Sequence, residues 1–193
     1  MIIGLTGMSG AGKSTVSEVF RTFGFSVIDC DRIARDVARR REFLKEVAER
    51  FSPDMLTSDG GLDRPKVAEL IYNDNVSRRK YQRIIIPYII YDIIEDIEGA
   101  ENNVLLDAPT LFEARLDIIC DRIVGVCADE SVCAMRIAER DNISPEQARE
   151  RLSAQHNAAF FRNRCDHCLE NDGTREELRF KTEIVIDMIK MTE

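Results

Sequence analysis

The chain has 193 residues, of which 44% are hydrophobic and 32% charged, with no tryptophan. That size and mixture fit one well-buried globular domain and exclude a disordered or fibrous chain. Lys and Arg total 27 against 35 Asp and Glu, a net charge of -8. The acidic balance argues against nucleic acid or an anionic membrane as partner, so any phosphate-bearing ligand must be held locally.

Met1 to Thr6 reads as a short apolar strand, followed by a glycine-rich turn from Gly7 to Gly12 and a helical pattern over Lys13 to Arg21. The opening residues carry no basic leader, so the expected location is cytoplasmic. Phe25 to Ile28 gives a second buried strand ending at Asp29-Cys30-Asp31, after which Ile33, Ala34, Val37 and Ala38 repeat at helical spacing. From Glu42 to Gly99 the pattern is helical without a convincing strand, interrupted by the Asp59-Gly60-Gly61 turn. Its Ile-rich stretch, Ile84 to Tyr91, contains Pro87 and is far short of the ~20 residues that span a bilayer. The Ile-rich segment from Ile84 to Ile97 reads as a helix packed on its own core.

Val104 to Leu106 before Asp107, and Arg122 to Cys127, are continuous apolar runs of the kind a parallel sheet buries on both faces. A helix over Ser131 to Glu139 leads to Ser144, a predicted N-cap with Pro145 at the first helical position and Gln147 completing a capping box. That helix is expected to run on toward Phe161. A strand over His167 to Glu170 and a helix from Thr174 to Met191 close the chain. The six cysteines read as free thiols that pack as small hydrophobes, and Cys165-Asp166-His167-Cys168 lacks the second half-site of a zinc motif.

The strongest chemical signal is Gly7-Met8-Ser9-Gly10-Ala11-Gly12-Lys13-Ser14, which matches the phosphate-loop pattern G-x-x-x-x-G-K-[ST] at every constrained position. Glycines let backbone N–H groups turn around phosphate oxygens, and the following helix adds its positive end to the anion site. Lys13 can reach the transferred phosphate, while Ser14 offers a hydroxyl to the Mg²⁺ that bridges the outer phosphates, with Thr15 on the same turn. Mg-ATP is therefore the implied ligand. Asp31 lies just past a strand's carboxyl end, where it can take a proton from an attacking hydroxyl; the competing reading is a helix cap, a role open to Asp29 as well. Asp107 ends its strand as a metal-associated carboxylate does, a weaker signal. Arg136 and Arg140 stand out among the arginines after the fourth strand as residues of a closing lid.

With these residues in hand, the chain resembles the dephospho-coenzyme A kinases nearly end to end. The resemblance is carried by Ile3 to Gly7 entering the loop, by Val27-Ile28-Asp29-Cys30-Asp31 with Ala34-Arg35, and by Asp107-Ala108-Pro109-Thr110-Leu111-Phe112-Glu113. Arg136, Arg140-Asp141, Gln155 and Asn171-Asp172-Gly173 continue the series. Ile86 stands before Pro87 where the family usually has histidine, and Thr110 where leucine is usual. The resemblance implies a nucleoside-triphosphate-binding α/β fold with a five-stranded parallel sheet flanked by helices. Its single kinase domain would have a core (1–31, 103–135, 165–193), a helical acceptor-binding insertion (about 32–100) and a lid (about 136–164). It further implies ATP contacts from Gly7, Ser9, Gly10, Ala11, Gly12, Lys13, Ser14, Thr15, Arg136, Asn171 and Gly173, acceptor contacts from Asp31, Arg35, Pro109, Leu111 and Glu113, catalytic roles for Asp31, Lys13 and Arg140, and Mg²⁺ at Ser14. The implied reaction phosphorylates the ribose 3′-hydroxyl of dephospho-coenzyme A, in a protein that is a monomer or weak oligomer. Another small acceptor (a nucleoside, a nucleotide or shikimate) and a hydrolytic switch remain as alternative readings of the loop.

Overall fold

A computed structural model describes residues 1–191. Five strands are found among them: β1 (Ile2–Gly7), β2 (Ser26–Asp29), β3 (Val104–Asp107), β4 (Arg122–Cys127) and β5 (His167–Glu170). They form one sheet in the order β2-β3-β1-β4-β5, with β1 parallel to both β3 and β4, and β4 parallel to β5. Ile3, Leu5, Leu105, Val124 and Val126 are all fully buried, as expected of strands covered on both faces. Pairing sets Leu5 opposite Asp107 and Gly7 opposite Val126, so the carboxyl ends of β1, β3 and β4 finish together.

The described backbone divides into two compact units, residues 1–28 with 100–191, and residues 29–99. In the first, β1 is followed by α1 (Lys13–Thr22), whose Val16, Val19 and Phe20 are buried in the core. The second unit begins at the end of β2 with α2 (Cys30–Val37), followed by α3 (Arg41–Arg50), α4 (Arg64–Asn73) and α5 (Asn75–Glu98). Its turn at Asp59-Gly60-Gly61 is closed by a single antiparallel bridge, Leu56 to Leu62. Phe43 and Ile93 are fully buried, Tyr81 and Tyr88 meet Phe43 edge-on, and Arg40 pairs with Asp92. Pro87 lies inside α5, where it has no N–H to donate back along the helix. No described helix is long and apolar enough to cross a membrane.

The chain returns to the first unit through β3, β4 and α6 (Glu130–Asp141), which ends at Asn142 in the left-handed conformation. α7 (Pro145–Ser153) starts on the expected capping box, with Ser144 and Gln147 each accepting from the other's backbone N–H. The expected run of this helix toward Phe161 does not occur. Asn157 accepts from the Phe160 N–H and caps a separate α8 (Ala158–Arg164). An asparagine that satisfies the first amides of a new helix competes well with continuing the old one. β5 and α9 (Arg175–Lys190) complete the unit, with a second capping box at Thr174 and Glu177. All six cysteines are free.

Candidate active site

The turn from β1 into α1 is built from both sides. Gly7, Gly10 and Gly12 have φ of 139°, 77° and 105°, the left-handed region that side chains disfavour. A Cβ on Gly7 would lie 2.1 Å from the Val126 carbonyl oxygen, and one on Gly10 2.7 Å from that of Cys133. The Met8 N–H donates to Val126 O at 3.0 Å, tying the loop's start to β4.

Two side chains hold the loop's carbonyls from outside. The amide nitrogen of Asn171, a buried side chain, donates to Ala11 O at 2.7 Å. Arg136 Nη1 donates to Gly10 O at 3.4 Å and to Asn171 O at 3.2 Å. Because a trans peptide points its C=O and N–H in opposite directions, anchoring the Ala11 carbonyl turns the Gly12 N–H toward the other side. α1 then begins at Lys13 with Gly12 as its cap residue, no side-chain cap and no acidic residue in its first turn. A helix start without a competing cap or carboxylate leaves its amides and dipole to an anion. This arrangement fits a polyphosphate.

Lys13 Nζ donates to Gly7 O at 3.3 Å, so its ammonium stays at the loop. The Ser9 N–H donates to Gln155 Oε1 at 3.2 Å, which joins the segment between α7 and α8 to the loop. Ser14 is exposed on the first turn of α1, with Thr15 beside it. Asp107 ends β3 opposite Leu5 of β1, and a hydroxyl with a carboxylate makes the hard oxygen set that suits Mg²⁺. A cavity of about 830 Å³ opens beside the loop, lined by Met8, Asp129, Gln155, Asn157, Phe160 and Asp172.

The segment after β3 is more structural than its motif suggests. Pro109 O accepts from the buried Thr6 hydroxyl at 3.1 Å, and Leu111 is fully buried, closing over Gly4. Glu113 is exposed, 3.4 Å from His156 Nε2, and that imidazole stacks on Phe160 at 3.6 Å. Arg140 is exposed and forked onto Asp141, which also pairs with Arg151 at 2.7 Å. The hydrogen bond from Arg140 holds the Asp141 carboxyl below the usual carboxylate range. Gly173 leaves room for Glu177, whose carboxylate would meet a Cβ there at 1.9 Å.

Asp31 and Arg35 belong to the second unit. There Asp29, not Asp31, caps α2 by accepting from the Arg32 N–H at 2.8 Å, and Arg35 lies 3.7 Å from Asp29. Asp31 is exposed one residue into the helix. Both Asp31 and Arg35 border an apolar cavity of about 370 Å³ with Leu62, Val67, Tyr81 and Ile85.

The parallel sheet, the glycine loop and the uncapped helix start define a P-loop nucleotide-binding protein. The family model for dephospho-CoA kinase matches residues 1–177. A dephospho-CoA kinase of Geobacillus kaustophilus is 35% identical over 93% of this chain and 92% of its own length. One from Arabidopsis thaliana is 32% identical over 98% of this chain and 84% of its own. A solved structure from Thermus thermophilus, described as TT1252, superposes with a TM-score of 0.86 at 29% identity, covering 97% of each chain. The chain belongs to the dephospho-CoA kinase family.

Proposed function

We propose that this chain transfers the γ-phosphoryl group of Mg-ATP to the ribose 3′-hydroxyl of dephospho-CoA, giving CoA and ADP. The observation that carries the reading is the braced loop running into an uncapped helix, in a chain matched to the family from residue 1 to 177. Gly7, Ser9, Gly10, Ala11, Gly12, Ser14 and Thr15 hold the triphosphate, and Lys13 leaves Gly7 O for the β- and γ-oxygens. Arg136 and Asn171 act mainly by holding loop carbonyls, with Gly173 at the rim of the adenine site.

Asp31 accepts the 3′-hydroxyl proton as that oxygen bonds to the γ-phosphorus, while the bond from phosphorus to the β–γ bridging oxygen breaks and ADP leaves. Arg140 swings from Asp141 to meet the charge spread over the moving group when the 136–164 lid closes. Arg35 orients the acceptor with Pro109 and Glu113, Leu111 fixing their loop from beneath. Ser14 is the protein's ligand for the Mg²⁺, which supplies charge neutralisation at the outer phosphates. The net charge of -8 argues against bulk binding to nucleic acid or an anionic membrane, and we place the protein in the cytoplasm as a monomer or weak oligomer.

The test is ADP release from ATP with dephospho-CoA, against a nucleoside, a nucleotide and shikimate. Turnover specific to dephospho-CoA is expected. Asp31→Asn should lose roughly a hundredfold or more in turnover while ATP still binds. ADP release without any acceptor would instead indicate a hydrolytic switch.

A further inference from the structure

β4 and β5 carry a second group of metal-ligating side chains. In the pairing of these strands Gly125 faces Cys168 and Cys127 faces Glu170, so all four positions share one face of the sheet. The two sulfurs lie 3.2 Å apart, and Cys127 Sγ, Cys168 Sγ and a Glu170 carboxylate oxygen lie within 4.8 Å of one another. Gly125 contributes no side chain to this face, and its would-be Cβ position is closed by Cys165 Sγ and Phe161 Cβ from the α8 side. Arg162 of α8 forks onto Glu170 at 2.6 and 3.1 Å.

We propose that Cys127, Cys168 and Glu170 form a binding site for a thiophilic divalent cation of the zinc class, with the fourth position open to water. A tetrahedral zinc with Zn–S bonds of about 2.3 Å separates its sulfurs by roughly 3.7 Å, so the pair opens by only about half an ångström to receive the ion. A disulfide fits less well. Two residues along a strand at ~3.3 Å each and ~4.8 Å across put the Cys127 and Cys168 Cα atoms about 8 Å apart. Bridging by sulfur requires less than ~7 Å, so oxidation would have to drag the strands.

Charge favours the same occupant. Two thiolates and a carboxylate exceed a divalent cation by one negative charge, which the Arg162 guanidinium on Glu170 cancels. That bond is also the outer contact that a ligating carboxylate normally has. Cys127 is fully buried, whereas the Glu170 side chain is 36% exposed, so the ion enters from the Glu170 side. Glu170 directly precedes Asn171, which holds the phosphate loop at Ala11, so an ion here would pin the strand end that braces the nucleotide site.

The experiment is anaerobic titration of the full chain with cobalt(II) under a non-thiol reductant, followed by displacement with zinc. One equivalent should produce thiolate-to-metal charge-transfer absorption with tetrahedral d–d bands, and zinc should bleach both. Cys168→Ala should abolish the bands, Cys165→Ala should keep them, and Glu170→Gln should weaken binding about 10–100-fold. Thermal unfolding with zinc gives an independent check, with a rise in midpoint in the native chain and in Cys165→Ala but not in Cys168→Ala. Absence of the charge-transfer band, its survival in Cys168→Ala, or a two-proton mass loss marking a Cys127–Cys168 disulfide in place of ion uptake would each overturn the proposal.

Discussion

The ammonium of Lys13 rests 3.3 Å from the carbonyl of Gly7, a charged donor on a neutral acceptor. A triphosphate offers that ammonium a charged acceptor in place of a neutral one, and Lys13→Ala is expected to cut turnover by about 10²–10³-fold, read in the ADP-release assay. Asn171 has the opposite character. It is buried and bonded to Ala11 O across 160 residues of sequence, so Asn171→Ala strands a carbonyl. The expected cost is about 1–3 kcal/mol in urea denaturation, together with a raised KM for ATP; an unchanged denaturation midpoint would show that the brace carries no load. Lys13 was legible because its motif is contiguous. The bracing role of Asn171 was not, since nothing near position 171 announces a partner at position 11.

Among the elements, those with local signals match the sequence reading best. The strands Arg122–Cys127 and His167–Glu170 have the bounds read from the sequence, and the Ser144–Gln147 box starts α7 as expected. Ser144→Ala should lower the stability of α7 by about 1 kcal/mol, seen as faster amide exchange from Gln147 to Leu152 with α9 unaffected. The break before α8 was missed because apolar spacing continues through Phe160 and Phe161, and the cap at Asn157 overrides it. Asp29 and Asp31 show a related ambiguity: either could cap α2 by composition, and only backbone geometry separates them. Asn157→Ala tests that explanation. Loss of the cap should fray the first turn of α8 and lower the midpoint of thermal unfolding, whereas an unchanged midpoint would show that the break has another origin.

For the whole molecule, burial of thiols links the sheet to pH. Removal from water pushes Cys120 and Cys165 up to about 12 and Cys133 to about 11, from an ordinary value of 9.0. The folded state therefore keeps these protons after the unfolded chain has lost them. Their stabilisation is complete below pH 9 and disappears progressively as pH rises through 11 to 12. Urea midpoints at pH 8, 9.5 and 10.5 should fall in that order, and the Cys120→Ala/Cys133→Ala variant should show a shallower slope. A slope unchanged in the variant would place both thiols in water. The parallel sheet itself was legible from its continuous apolar runs, but the order β2-β3-β1-β4-β5 is a property of long-range pairing that no single segment encodes.

The collision that a Cβ at Gly7 would make with the Val126 carbonyl has a further consequence. At that position ligand grip and strand spacing are one geometric quantity, so nucleotide affinity cannot be tuned there by small steps. A mutational path that alters affinity gradually must begin farther out, at Arg136 or Gln155, where side chains touch the loop without also setting the distance between β1 and β4.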